Sequence, residues 1–452
     1  MKQSSLFSKL LHATFFVGAI ATSTTLSLLS PTLSSSVRAS LDDSPKAVLD
    51  EAWQIVNRGY VDTTFNQVDW QAVRQDLLSR DYNSREEAYN ALREALKQLQ
   101  DPYTRFMDPE QYEQLTNQTS GELSGVGVRL QADEETGQMF VVEPLPNSPA
   151  AAAGIQAGDR LLAINGKSTV GMSVQEASNL IRGEAGTEIT LRLDRDGEEA
   201  FDLALTRARI ELQAVRHRLK LEGGYRIGYI QLSEFSSHAA EQMHRAIADL
   251  LAQDVDGFVL DLRGNPGGLL QASIDISRMW VDSGAIVRTV YREGDSEEFT
   301  ANHSSLTELP LAVLVDGNSA SSSEILTGAL RDNNRATVVG TQTFGKALVQ
   351  SVHALSDGSG LAVTVAHYYT PNGTDISQMG IAPDIEVDLT NAQRDRLASN
   401  PNLVATNSDP QYSQAITALH ETILADQIES VTSQQVGVTQ EQTLNRAVGA
   451  VD

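Results

Sequence analysis

Between residues 40 and 118 the apolar positions recur every three or four residues, the spacing of a helix with one buried face. After Ser44-Pro45, residues Val48, Ala52, Ile55 and Val56 share such a face. After Ser84-Arg85-Glu86-Glu87, so do Ala88, Leu92, Ala95, Leu96 and Leu99. A serine before a first-turn proline and an S-x-x-E capping box are helix starts, and Asp101-Pro102 is a stop. The pattern predicts a helical N-terminal domain over 40–118. Past residue 119 the period shortens. Alternating segments at 124–128, 139–142, 160–164 and 189–193, with Asn165-Gly166 and Asp196-Gly197 at turns, predict a β-rich domain over 119–207. One segment in it, 174–181, has helical spacing. From 208 to 390 strands alternate with helices: strands at 226–232, 257–262, 311–315, 338–339, 348–355 and 361–369, and helices at 238–251 and 269–281. This order predicts an α/β domain with an added hairpin. In the last segment, 391–452, Ile416, Leu419, Ile423 and Leu424 predict one amphipathic helix packed on the body, with a mobile tail from 428 onward.

Composition narrows the partners. With 34 basic against 59 acidic residues the net charge is −25, which repels nucleic acid and anionic lipid. The chain has no cysteine, so a thiol nucleophile, a thiolate zinc site and disulfides are excluded. At the start, Lys2 and Lys9 precede a mostly apolar run at 15–29, and Val37-Arg38-Ala39 offers a small-x-small cleavage site. This predicts a secretory signal peptide over 1–39 and an exported protein without a stable membrane span after its removal. An uncleaved anchor is the competing reading, weakened by the serines and threonines that interrupt the run.

Candidate chemistry centres on SASSSEIL at 319–326. Ser321 to Glu324 spells a capping box, which by itself accounts for both residues. Ser321 also follows a strand and starts a helix, where free backbone amides suit a developing oxyanion. A serine needs a base. His303, His353 and His367 lie nearest in sequence, and no acidic residue is expected to pair with them in a recognisable pattern. Lys346 follows Phe344-Gly345 and precedes Leu348-Val349. An amine among apolar neighbours loses solvation and can stay neutral. In a strand, Gln350 would share its face and orient it. The competing reading is an exposed lysine at a strand end.

Two resemblances join these pieces. The phrase SPAAAAGIQAGDRLLAINGKS (148–168) resembles a PDZ domain. That implies capture of a peptide's C-terminal carboxylate by backbone amides of Gly125, Val126, Gly127 and Val128, unless these glycines only permit a turn. The segments DLRGNPGG (261–268), SASSSEI (319–325) and TFGKALVQ (343–350), behind the PDZ-like part, resemble the carboxy-terminal processing peptidases, or tail-specific proteases. The resemblance spans roughly residues 45–390 and implies a Ser-Lys endopeptidase on a crotonase-like core, without cofactor or metal. It assigns Ser321 as nucleophile, Lys346 as general base, Gln350 as its support and Glu324 as either catalytic or a helix cap. The amides of Gly267 and Ser322 would form the oxyanion hole. Ser322 stands where the family usually has alanine, and Ala347 where it usually has glycine. Similar exported members in cyanobacteria and plastids trim a photosystem II reaction-centre subunit in the thylakoid lumen. The implied partners are protein or peptide substrates with a free C-terminus, met in a periplasm or lumen. A non-catalytic PDZ scaffold and a Ser-His-Asp protease with an attached PDZ domain are the alternatives.

Overall fold

The computed structural model describes residues 44–428. The predicted signal peptide and the tail from 429 lie outside the described residues.

Helices α1 (Pro45–Gly59), α2 (Trp70–Ser79) and α3 (Arg85–Lys97) form the first layer. The Ser84 hydroxyl accepts the Glu87 amide at 3.2 Å, while the Glu87 carboxylate accepts the Asn83 amide at 2.8 Å, so the serine half of the predicted capping box is made. Periodicity misses the strand after α3. Strand β1 (Arg105–Met107) buries Phe106 and Met107, exposes Arg105, and runs into α4 (Pro109–Ser120), which Asp108 caps. Leu49, Trp53, Leu92 and Leu96 share a core with Leu361 and Val363 of a distant strand. The helical segment is therefore packed into the rest of the chain.

The next unit holds β2 (Glu122–Gly125), β3 (Val128–Ala132), β4 (Met139–Pro144), the short helix α5 (Pro149–Ala152), β5 (Arg160–Ile164), β6 (Lys167–Ser168), α6 (Val174–Ile181), β7 (Glu188–Asp194), β8 (Phe201–Thr206) and β9 (Ala208–Glu211). Its sheet has the order β3-β4-β5-β7-β8, with β6 on β5, and β3 is an edge strand. Strands β2 and β9 stand apart as an antiparallel ribbon, with Glu122 opposite Glu211 and Gly125 opposite Ala208.

The next part of the chain holds two further sheets and their helices: β10 (Val215–Glu222), β11 (Tyr225–Leu232), helix α7 (Ala239–Leu251), β12 (Gly257–Asp261), helix α8 (Leu270–Trp280), β13 (Ala285–Tyr291), β14 (Ser296–Thr300), β15 (Leu311–Val315), helix α9 (Ser322–Asp332), β16 (Thr337–Gly340), β17 (Leu348–Ala354), β18 (Gly360–Tyr369) and β19 (Ile385–Glu386). Order β10-β11-β12-β15-β16-β19 makes the main sheet, parallel from β11 onward. Helices cover both faces, as they must when parallel strands are apolar throughout. Met243, Ile247, Trp280, Leu326 and Leu330 pack on one face. After α10 (Asn391–Ser399), helix α11 (410–428) covers the other with Tyr412, Leu419 and Ile423. Leu424, expected on that apolar face, is instead 48% exposed. Strands β13 and β14 fall where the hydrophobic pattern predicts none; they join β1, β18 and β17 in a second sheet. Among the described residues no helix is long and apolar enough to cross a membrane.

The DLRGNPGG turn leaves the C-terminal end of β12 over a buried ionic network. Arg263 pairs with Asp261 at 2.7 Å and with Asp409 at 2.9 Å, and the Tyr229 hydroxyl donates to Asp261 at 2.7 Å. Asp409 also accepts the amides of Ala405 and Tyr412. Removing one partner of such a network leaves a buried charge short of its counter-ion. Asp409→Ala is therefore expected to cost about 3–5 kcal/mol in urea unfolding. A loss below about 1 kcal/mol would show that the network does not hold this turn.

Candidate active site

Ser321 sits between β15 and α9 with φ 56° and ψ −114°, a sparsely populated backbone region for a residue with a Cβ and the kind of strain found at strand-to-helix nucleophile turns. Its neighbours explain how it is held. Ser319 Oγ donates to the Leu262 carbonyl at 2.8 Å, Ser322 Oγ to Gly268 O at 3.0 Å, and Ser323 Oγ to Asn265 O at 2.9 Å. These three hydroxyls stitch the serine run to the glycine turn. Ser322 is buried at 1% exposure with its hydroxyl committed, whereas Ser321 is partly exposed in the cleft. The close approach requires glycine. A Cβ on Gly267, at φ +102°, would lie 2.7 Å from Ala320 O and 2.9 Å from Ser321 Cβ.

Glu324 is fully buried and its carboxylate is shared between two segments. Oε2 accepts the Ser321 amide at 2.8 Å and the Lys346 amide at 2.9 Å. Oε1 accepts Thr343 Oγ1 at 2.6 Å and the Gly345 amide at 2.7 Å. The cap reading of Glu324 is thus present and incomplete, because the same group also clamps the 343–346 loop. Tyr368 on β18 adds a second tie that sequence reasoning missed. Its hydroxyl lies 3.1 Å from Ser321 O and 2.6 Å from Lys346 O, and burial, with the nearby Glu324 charge, keeps the phenol protonated.

Ser321, Ser322, Lys346 and Gln350 line one cleft of about 390 Å³, together with Gly268, Tyr368 and the N-terminal residues Tyr103 and Arg105. Lys346 is half-buried. Desolvation, then the charge of Arg105, holds its amine below the ordinary value of 10.5, while Asp101 and Glu324 oppose the shift. Simple strand alternation does not relate Gln350 to the lysine, contrary to expectation. Lys346 precedes β17, and a bulge between Val349 and Gln350 resets the side-chain alternation. Both residues still face the cleft, but Gln350 Nε2 is buried without a hydrogen-bond partner. Gly267 also differs from expectation, since its N–H donates to Asn265 Oδ1 at 2.9 Å. The histidines lie elsewhere. His303 is exposed and, against expectation, paired with Asp282 at 2.9 Å. Among the described residues no cluster of three metal-ligating side chains occurs.

In the β-rich unit, Val126 is buried and its carbonyl accepts the Ala150 amide at 2.9 Å. Gly127, at φ +80°, packs so tightly that a Cβ would meet Ser148 Cβ at 2.3 Å. Gly125 ends β2 and Val128 starts β3. The amides of Val126 and Gly127 have no acceptor among the described residues, and they precede a free sheet edge.

The family matches give the class of the chain, a serine-type peptidase. Residues 226–387 match peptidase family S41 and residues 140–195 match the PDZ domain. A carboxyl-terminal-processing protease from Synechocystis sp. is 47% identical over 75% of this chain and 80% of that protein. A chloroplastic C-terminal processing peptidase from Tetradesmus obliquus is 37% identical over 75% and 76%. A solved photosystem II D1 C-terminal processing protease is 35% identical, with a TM-score of 0.51, covering 82% of this chain and 99% of that one. The chain belongs to the carboxyl-terminal-processing proteases of family S41.

Glu324→Gln keeps the volume but turns a donor toward two groups that are themselves donors. Each unsatisfied buried donor costs about 1–3 kcal/mol. The variant is expected to lose about 2–4 kcal/mol of stability and most of its peptide-cleaving turnover. Unchanged unfolding and unchanged kcat would show that the carboxylate is not the clamp.

Proposed function

We propose that Ser321 attacks the scissile carbonyl while the neutral amine of Lys346 takes its proton. The observation that carries this reading is the Glu324 carboxylate, which binds the backbones of both residues. Attack forms the Ser321 Oγ–C bond and a tetrahedral oxyanion. The amide of Ser322 and one amide of the glycine turn stabilise it; Gly267 serves only if its bond to Asn265 opens. The Lys346 ammonium returns the proton to the leaving amine, the C–N bond breaks, and an acyl-enzyme remains. Water, activated by the same amine, hydrolyses it. Gln350 offers its unpartnered Nε2–H to the neutral amine, which favours the base form. On this reading the core is crotonase-like, the helical N-terminal domain closes the cleft, and no cofactor takes part.

The PDZ domain selects substrates by a free C-terminus, received by the amides around Val126 and Gly127 beside the edge of β3. The protein is exported to a periplasm or thylakoid lumen. Its substrate there is the C-terminal extension of a photosystem II reaction-centre precursor, a reading supported by the name of the solved relative.

Ser321→Ala is expected to abolish cleavage with the fold intact, and Ser322→Ala to keep most activity. The reverse pattern would reassign the nucleophile. Lys346→Arg should be inactive, because arginine keeps its proton. Wild-type activity should rise with pH along an acid limb below 10.5, since the folded site favours the neutral amine; turnover by the arginine variant would remove the base role.

Substrate selection has its own test. Amidating a model substrate's C-terminus removes charge-assisted hydrogen bonds and should lower kcat/KM by about tenfold or more, equivalent to about 1.4 kcal/mol. Equal cleavage of acid and amide would remove tail recognition from the account.

A further inference from the structure

We propose that Tyr103, from the N-terminal part of the chain, is a positioning residue for the Lys346 amine, supplying the aromatic face on which its ammonium form is held. The proposal rests on Lys346 being the base. Lys346 Nζ lies 4.6 Å from the centroid of the Tyr103 ring, within the range of a cation–π contact.

The nearby carboxylates are already occupied. Glu324 receives its four donors from Ser321, Thr343, Gly345 and Lys346 backbone or hydroxyl groups. Asp101 receives the Tyr103 amide at 2.9 Å and the hydroxyls of Thr104 and Thr364, each at 2.7 Å. Neither forms an ion pair with Lys346 Nζ among the described residues, and the ring is left as the group that meets the cation.

The ring is also firmly placed. Asp101 fastens the loop to Thr364 on β18, the Thr364 amide donates to Thr104 Oγ1 at 3.0 Å, and Phe106 on the adjoining strand lies in the core. This arrangement suits a group that must cycle between two charge states. A π face attracts the ammonium and not the neutral amine, so it receives the proton-bearing intermediate without the full ion pair that would keep the lysine permanently charged. A carboxylate at the same place would favour the charged form far more strongly.

The test uses the full chain with Tyr103→Phe and with a series of fluorinated phenylalanines at position 103, which keep ring shape while draining the π face. Circular dichroism and Tm check each fold, and the pH dependence of kcat is the readout. Weakening the face destabilises only the ammonium, so the acid limb should move to lower pH, by about half a pH unit or more for the most fluorinated ring. Tyr103→Phe should leave it in place. Lys346→Ala is run beside them. If Lys346→Ala is inactive and the limb stays fixed across the fluorinated series, the role of Tyr103 is overturned while the lysine reading stands. If Lys346→Ala cleaves as the wild type does, the base assignment itself fails and the proposal fails with it.

Discussion

One buried carboxylate organises the cleft that holds Ser321 and Lys346. Taking a negative charge out of water is expensive unless hydrogen bonds replace the lost hydration, and Glu324 receives four of them from two segments far apart in sequence. Its position three residues into α9 adds the favourable end of the helix dipole. Because both amide partners flank the cleft, the Ser321 turn and the 343–346 loop cannot separate without leaving a charge and several donors unsatisfied. Tyr368 reinforces the same junction from β18 through the carbonyls of the same two residues. The unusual backbone of Ser321 is held by these ties together with the three hydroxyls that fasten its neighbours to the glycine turn.

The cleft is assembled from parts that the chain order keeps apart. Parallel strands deliver β12 and β15 side by side, so their C-terminal turns meet where open α/β sheets usually bind ligands. The second sheet brings the lysine loop, and β1 on its edge brings Tyr103 and Arg105. Arg105 and burial act together on Lys346. In a protein of net charge −25, burial and one neighbouring arginine still lower the affinity of this amine for its proton.

Much of this was legible in the residues. Periodicity found α1, α3 and the apolar parallel strands because each carries a face or a run that must be buried. It missed β1, whose three residues come after a helix-stop dipeptide and depend on β18 for pairing. It also missed β13 and β14, which gain their place from a sheet formed by distant residues. At the site, the motifs gave Ser321, Lys346 and Glu324 together. They could not show that Glu324 serves the lysine loop as well as its own helix, because that bond joins residues with no local relation. Nor could they show the bulge that separates Gln350 from simple strand alternation, or the Asn265 side chain that occupies the Gly267 amide. Tyr103 and Tyr368 carry no motif signal. A tyrosine in a helix-stop segment or in a long strand looks like any other until the fold brings it to the lysine.

The ribbon of β2 and β9 places the chain's entry to the PDZ domain directly opposite its exit, at Gly125 and Ala208. At its base Glu122 contacts His238 at 3.1 Å, and Gln242 donates to Glu211 at 2.7 Å. Such a stalk makes the domain a cassette. Its two ends close on each other, so its length and internal loops impose no strain on the sheet that begins with β10. A different ligand-binding module with similarly adjacent termini would fit the same socket, and the peptidase body would inherit a new address book without altering its own chemistry.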